Sequence, residues 1–202
     1  MSDAGGSPFE QWTDRDIVDL VDQFPLAWVI SANFNATPLP ILIEIDGDGR
    51  PQSLLGHFAK SNPQVDQIRA EPRTLFLFSG PHGYVSPELV TTTRDWGPTW
   101  NYTTARIVAD VVFDEELNDE ALEKLVSKME RGRQMPWTRA ELGPRYEGMK
   151  RAIIAFRAPV VGIEARFKLG QDERDEVLSD IVAGFGDSDL AIWMRRFNGH
   201  RQ

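Results

Sequence analysis

Ile17, Val18, Leu20, Val21 and Phe24 recur at the three-to-four-residue spacing of one helical face. Thr13 with Asp16 resembles a capping box and Pro25 stops the run, so a short amphipathic helix is expected between them. The period then changes. Residues 26–31 (LAWVIS) are a compact apolar run that predicts a strand. A turn at 35–38 leads to a second strand over 39–45, and Asp46-Gly47-Asp48-Gly49 is a hairpin signal before a third, over 53–58. Pro63 stands where the first residue of a helix belongs, with Ser61 or Asn62 as its cap, and that helix runs on until Pro72. Residues 74–79 (TLFLFS) predict another strand, which Gly80-Pro81-His82-Gly83 turns into Tyr84-Val85-Ser86.

Residues 87–98 show no period and read as a long loop. Thr103, Ala105, Ile107, Ala109, Val111 and Phe113 then alternate along 101–113, the mark of one long strand in a curved sheet. Asn118 is the expected cap of a helix that buries Leu122, Leu125, Val126 and Met129, and Thr138 with Glu141 matches a capping box for a shorter one. A second long strand over 152–168, interrupted near Pro159, alternates at Val161, Ile163, Ala165 and Phe167. Asp172 and Asp175 introduce a last helix pair with Val177, Leu178, Ile181, Val182, Leu190, Ile192 and Trp193 at its apolar positions. Residues 1–10 read as a mobile tail and 172–202 as a helical extension of a single domain spanning 1–202. About six strands interleaved with short helices predict a mainly β, antiparallel barrel with helical additions.

With 202 residues, 41% hydrophobic and 26% charged, the chain can bury a core without disulfides or a structural metal. It has no cysteine, which excludes thiol chemistry and iron–sulfur clusters and fits a reducing cytoplasm. No apolar run reaches membrane-spanning length and the N-terminus lacks the regions of a signal peptide, so a cytoplasmic protein without a membrane span is expected. The net charge of −9 argues against autonomous DNA binding. Arg195, Arg196, His200 and Arg201 are the notable basic cluster, read as a solvated helix end.

Three segments can carry chemistry. In Gly56-His57-Phe58-Ala59-Lys60-Ser61-Asn62-Pro63-Gln64 a strand ends and a helix begins, so backbone N–H groups join an ammonium and a hydroxyl in a phosphate cradle. The plain alternative is that Ser61 or Asn62 caps the helix and Lys60 is solvated. In Ser79-Gly80-Pro81-His82-Gly83-Tyr84-Val85-Ser86-Pro87, two glycines and two prolines define a rigid turn that lets backbone approach a ligand, and His82 can donate to it or simply bond the turn. In Pro98-Thr99-Trp100-Asn101-Tyr102, aromatics flanking an asparagine can stack on a planar ring and read its polar edge, or pack the end of a barrel. No G-x-G-x-x-G, P-loop or G-x-S-x-G motif is present, and three histidines without H-x-x-x-H spacing make a poor metal set.

Taken in order, GHFAKSNPQ at 56–64, FSGPHGYVSP at 78–87, PTWNY at 98–102 and FKLGQDERDE at 167–176 resemble the PaiB family of FMN-binding negative transcriptional regulators. That family is related to the pyridoxamine-phosphate oxidase and flavin reductase split barrels. The stretch from Met135 to Met149 (MPW…Y..M) also fits. The resemblance implies a six-stranded split β-barrel, a homodimer, and FMN between the two chains with its phosphate on Lys60 and Ser61. It places the ring against Thr37 to Leu39, near Trp100 and Asn101, with His57, His82, Lys168 and Gln171 as further binding candidates. Pro38, Arg106 and Gly170 depart from the family's usual residues. Three functions stay open: a flavin-responsive regulator that acts through a protein partner, an FMN-dependent oxidoreductase acting on a nicotinamide or other small substrate, or an apo dimer whose flavin site has decayed.

Overall fold

The computed structural model describes residues 6–201. These form two compact units, a larger one from 14–78 and 106–163 and a smaller one from 6–13, 79–105 and 164–201. The elements are α1 (Asp14–Gln23), β1 (Leu26–Ile30), β2 (Ala36–Pro40), β3 (Leu42–Ile45), β4 (Pro51–Ala59), α2 (Gln64–Ala70), β5 (Arg73–Val85), β6 (Thr99–Asp110), β7 (Val112–Phe113), α3 (Asn118–Met129), α4 (Arg145–Arg151), β8 (Ile153–Lys168), α5 (Asp175–Phe185) and α6 (Asp189–Asn198). Eight strands, against the six expected, follow the order β2-β1-β5-β6-β8-β4-β3, with β7 on β8. Among the described residues no helix is long and apolar enough to cross a membrane.

In the larger unit α1 buries Ile17, Val18, Leu20 and Val21, the face its spacing announces. The strand expected over 39–45 is two. Pro40 has no N–H with which to extend a ladder, so the chain changes partner: β2 pairs with β1, β3 with β4, and the Ile41 amide between them donates to the Pro25 carbonyl at 2.8 Å. Asp46 closes the β3–β4 hairpin by accepting the amides of Asp48 and Arg50, both at 2.9 Å, while Gly49 takes a φ of 81°. Pro159 does not interrupt β8; it pairs with Ser53 at the end of the β4 register, where its fixed φ suits extended backbone. The alternation over 101–113 holds through Val111, but its amide leaves the sheet for the Pro72 carbonyl and so divides β6 from β7.

Asn118 is not a cap. It is 2% exposed inside α3, where its Oδ1 accepts the Ala155 amide at 2.7 Å and its Nδ2 donates to the carbonyls of Lys150 and Ile153. Asp114 caps the turn before α3 instead, accepting the Glu116 amide. α3 buries Ala121 and Leu122, Leu125 packs beside them, and Met129 is left 39% exposed.

In the smaller unit Gly80-Pro81-His82-Gly83 is strand and not turn, since β5 runs unbroken from Arg73 to Val85. The β1 ladder on β5 stops at Phe78, so Pro81 withdraws no hydrogen bond from it. Gly83 is needed for packing: a Cβ there would stand 2.9 Å from Leu190 Cδ2 and 3.2 Å from Phe185 Cε1. α5 and α6 bury Val177, Leu178, Ile181, Leu190, Trp193 and Met194, whereas Ile192, expected among them, faces outward. Arg201 is only partly solvated; its guanidinium donates to the carbonyls of Gly170, Gln171 and Glu173 and to Asp175. Arg195 donates to the Gly186 carbonyl, and Arg196 lies over the Trp193 ring. Of the segment read as a tail, 1–5 lie outside the described residues, whereas Pro8–Glu10 form a 3-10 turn. Arg166 holds that turn by ion-pairing Glu10 at 2.9 Å and covering the Phe9 ring.

Two stability predictions follow from the larger unit's packing. A Cβ on Gly56 would stand 2.8 Å from both Ile41 Cδ1 and Phe156 Cζ, buried groups with little room to yield. Gly56→Ala should therefore lower the unfolding free energy by about 1–3 kcal/mol in urea titrations. Glu44 supplies the second. Burial alone raises its carboxyl, but hydrogen bonds from Arg157, Ser53 and Lys124 and the Arg157 charge outweigh it and lower the pKa from 4.5 to about 2. The folded value is the depressed one, so this stabilisation is full above the unfolded pKa and is lost as pH falls through the folded one. Urea titrations from pH 6 to 2 should show at most about 3 kcal/mol of acid-dependent loss that Glu44→Gln removes.

Candidate functional site

The sequence-derived candidates fall in both units, and each group is described within its own. In the larger unit β4 carries His57 and delivers Lys60, Ser61 and Asn62 to the start of α2. The bend is fixed by the Lys60 amide on the Ala152 carbonyl, 2.9 Å, and by Asn62 Oδ1, which accepts the Gln64 amide at 2.9 Å. Asn62, and not Ser61, is thus the helix cap, and the protein's own side chain takes one of the donors expected for an anion. Asn62 Nδ2 donates to Thr37 Oγ1, Thr37 donates to Gln64 Oε1 at 2.6 Å, and Gln64 Nε2 reaches the carbonyls of Val29 and Asn35. These bonds lock α2 to the β1–β2 hairpin. Ser61 stays exposed, and Lys60 Nζ lies 2.7 Å from Glu115 Oε2. An ammonium and a neighbouring hydroxyl therefore stand at the surface with a carboxylate in the place of an anionic ligand. That donor set fits a phosphate. His57 is held below the usual imidazole range by burial, so its ring is neutral at physiological pH.

In the smaller unit the second half of β5 and the start of β6 build an aromatic face. Trp100 stacks near His82 (centroids 6.5 Å, planes 29° apart) and tilts against Tyr84 at 5.9 Å, with Trp100 and Tyr84 each about half exposed. His82 Nδ1 lies 3.1 Å from the Gly80 carbonyl. Lys168 on β8 donates to Thr99 Oγ1, and Ser79 is exposed on β5. Asn101 and Gln171 are engaged internally: Asn101 is buried with its amide on the Met194 sulfur, and Gln171 accepts the Leu169 amide while donating to the Phe167 carbonyl. An exposed indole backed by two rings can hold a planar ligand, with Thr99 and Lys168 as polar contacts nearby.

Glu115 escaped the sequence reading, whereas Tyr84 and Gln64 lie in segments it singled out without being picked as site residues. Tyr84 sits two positions from His82, so a strand period through 82–84 would have found it. Gln64 lies in the segment singled out but looks like any polar helix residue. Glu115 is 55 positions from Lys60, and no local pattern joins them.

A family model described as "Putative FMN-binding domain" matches residues 6–161. The protease synthase and sporulation protein PAI 2 of Bacillus subtilis is 31% identical over 132 residues, 64% of this chain and 62% of that protein, so the chain spans just under two thirds of that relative's length. Among solved structures, the flavocytochrome Anf3 from Azotobacter vinelandii superposes with a TM-score of 0.56 at 15% identity, covering 82% of this chain and 73% of its own. The FAD and heme binding protein from Mycobacterium smegmatis gives 0.54 at 18% identity, covering 86% and 79%. At such identities the likeness shows the fold, a split barrel as expected from the sequence. With the family model matched over residues 6–161, most of its length, the chain belongs to the family described as "Putative FMN-binding domain".

Proposed function

We propose that the chain binds FMN through its phosphate at Lys60 and Ser61, and that it works as a flavin-responsive regulator acting through a protein partner. The observation that carries the phosphate assignment is the Lys60–Glu115 pair, an exposed ammonium already set against an anionic group beside a free-standing hydroxyl. Thr37, fixed by Asn62 and Gln64, supports a ring laid against the Thr37–Leu39 strand. Bound FMN supplies a ring that takes up a hydride or single electrons. The aromatic face of the smaller unit is read separately, as a surface for a planar group. Likeness to a protein named for protease synthase and sporulation supports the regulatory reading. The C-terminal arginines are engaged within the chain, which supports action through a partner rather than on DNA. The exposed Trp100 face favours the second reading, an oxidoreductase that stacks a nicotinamide; steady NADH consumption with FMN present would select it.

The chain is further proposed to form a homodimer through the outer face of β1. Trp28 and Leu26 are 50% and 62% exposed there, with Pro38 and Leu77 flanking Trp28 in the register. An apolar row across three strands marks a contact surface. Light scattering should report a dimer for the native chain and a monomer for Trp28→Arg at micromolar concentration; a native monomer would overturn the assignment.

Flavin titration by fluorescence quenching tests the phosphate site. FMN should bind more tightly than riboflavin, and Lys60→Ala should weaken FMN by about 10- to 150-fold while leaving riboflavin unchanged. Glu115→Gln should tighten FMN, because the ammonium no longer has to leave a carboxylate. Equal affinities for FMN and riboflavin would sink the assignment.

A further inference from the structure

We propose that the larger unit carries a second ligand site, for a small amphipathic anion with an apolar body, in the cavity between α3, the 132–138 loop and α4. The cavity measures about 400 Å³, within the range of small-molecule sites, roughly 300–1,000 Å³. Leu122 and Val126, one turn apart on α3, form one wall, and Pro136, Trp137, Tyr146 and Met149 form the others. Four of these six belong to the Met135–Met149 stretch, which nothing in the flavin assignment uses.

Polar clips hold the walls apart. The Trp137 amide donates to Glu130 Oε2 at 2.9 Å and folds the loop back on the end of α3. The Thr138–Glu141 capping box starts the next turn, and Tyr146 donates its hydroxyl to Asp119 at 2.6 Å, pinning α4 to α3. With the frame fixed this way, the apolar side chains line a space they do not collapse to fill. Met149, one of these walls, is 38% exposed.

The charges at the rim choose the ligand's head group. Both oxygens of Glu130 are engaged, by the Trp137 amide and by Arg133 Nε at 3.2 Å, and Glu123 faces Arg139 at 3.7 Å. Arg131 also lines the cavity, and its guanidinium has no ion-pair partner among the described residues. The uncommitted rim charge is positive, so a carboxylate or sulfonate is complementary and an ammonium is not.

Calorimetric titration of the full chain, FMN-loaded and FMN-free, with decanoate and with decyltrimethylammonium tests this. Decanoate should bind once per chain in both forms, and the cation at least about tenfold more weakly. Arg131→Glu, a surface change, should weaken decanoate about tenfold, and Val126→Phe, which fills the wall, should abolish it. Lys60→Ala should leave decanoate binding intact, which separates this site from the flavin site. Equal binding of the two amphiphiles, indifference to Arg131→Glu, loss of binding on Trp28→Arg, or a heat that tracks dissociation of a dimer would each overturn the proposal. The last two outcomes would assign the apolar surface to the β1 face or to a second copy of the chain.

Discussion

The Gln64 side chain is 2% exposed and every polar atom of it has a partner: two backbone carbonyls accept from its amide nitrogen, and the Thr37 hydroxyl donates to its oxygen. A buried amide left half-bonded would cost about 1–3 kcal/mol, so the helix, the hairpin and Asn62 either all take these positions or the network fails together. The placement of Lys60 and Ser61 depends on it. They sit in the short link between β4 and α2, and α2 cannot shift against the β1–β2 hairpin without breaking several bonds at once. Ser31 and Asn35 bonding Gln67 one turn further along repeat the same device.

The sequence was most legible where a local period coincided with burial. The stripe on α1 and the alternation along β6 each announce an element, its type and the face it hides. It was least legible where residues with strong local habits serve distant partners. Asn118 has the chemistry of a helix cap, yet its amide clasps a strand 37 positions away. Gly83 and Pro81 have the composition of a turn, but the glycine makes room for two helical side chains and the proline lies beyond the end of the β1 ladder on β5. Arg201 carries the expected charge for a helix end and instead closes the Gly170–Asp175 loop.

The candidate site was legible in the same uneven way. Lys60, Ser61 and Asn62 were visible as a strand-to-helix junction, because capping and anion binding draw on the same exposed N–H groups. The sequence could not say which of those groups the chain keeps for itself; the structure assigns the cap to Asn62 and leaves the ammonium and hydroxyl outside. Trp100 and His82 were visible by type, and their meeting with Tyr84 was hidden only because the part of β5 that carries His82 and Tyr84 looked like a turn.

Pro38 and Pro40 have a further consequence for β2, the outermost strand on its side of the sheet. Residues two apart direct their amides to the same side of a strand, and β1 takes the other side of β2, so the free rim lacks two successive donors. A stranger's strand arriving there finds acceptors without the alternating donors that templated growth needs. In a crowded cell, where newly made chains meet before folding is complete, that rim steers encounters away from fibre growth.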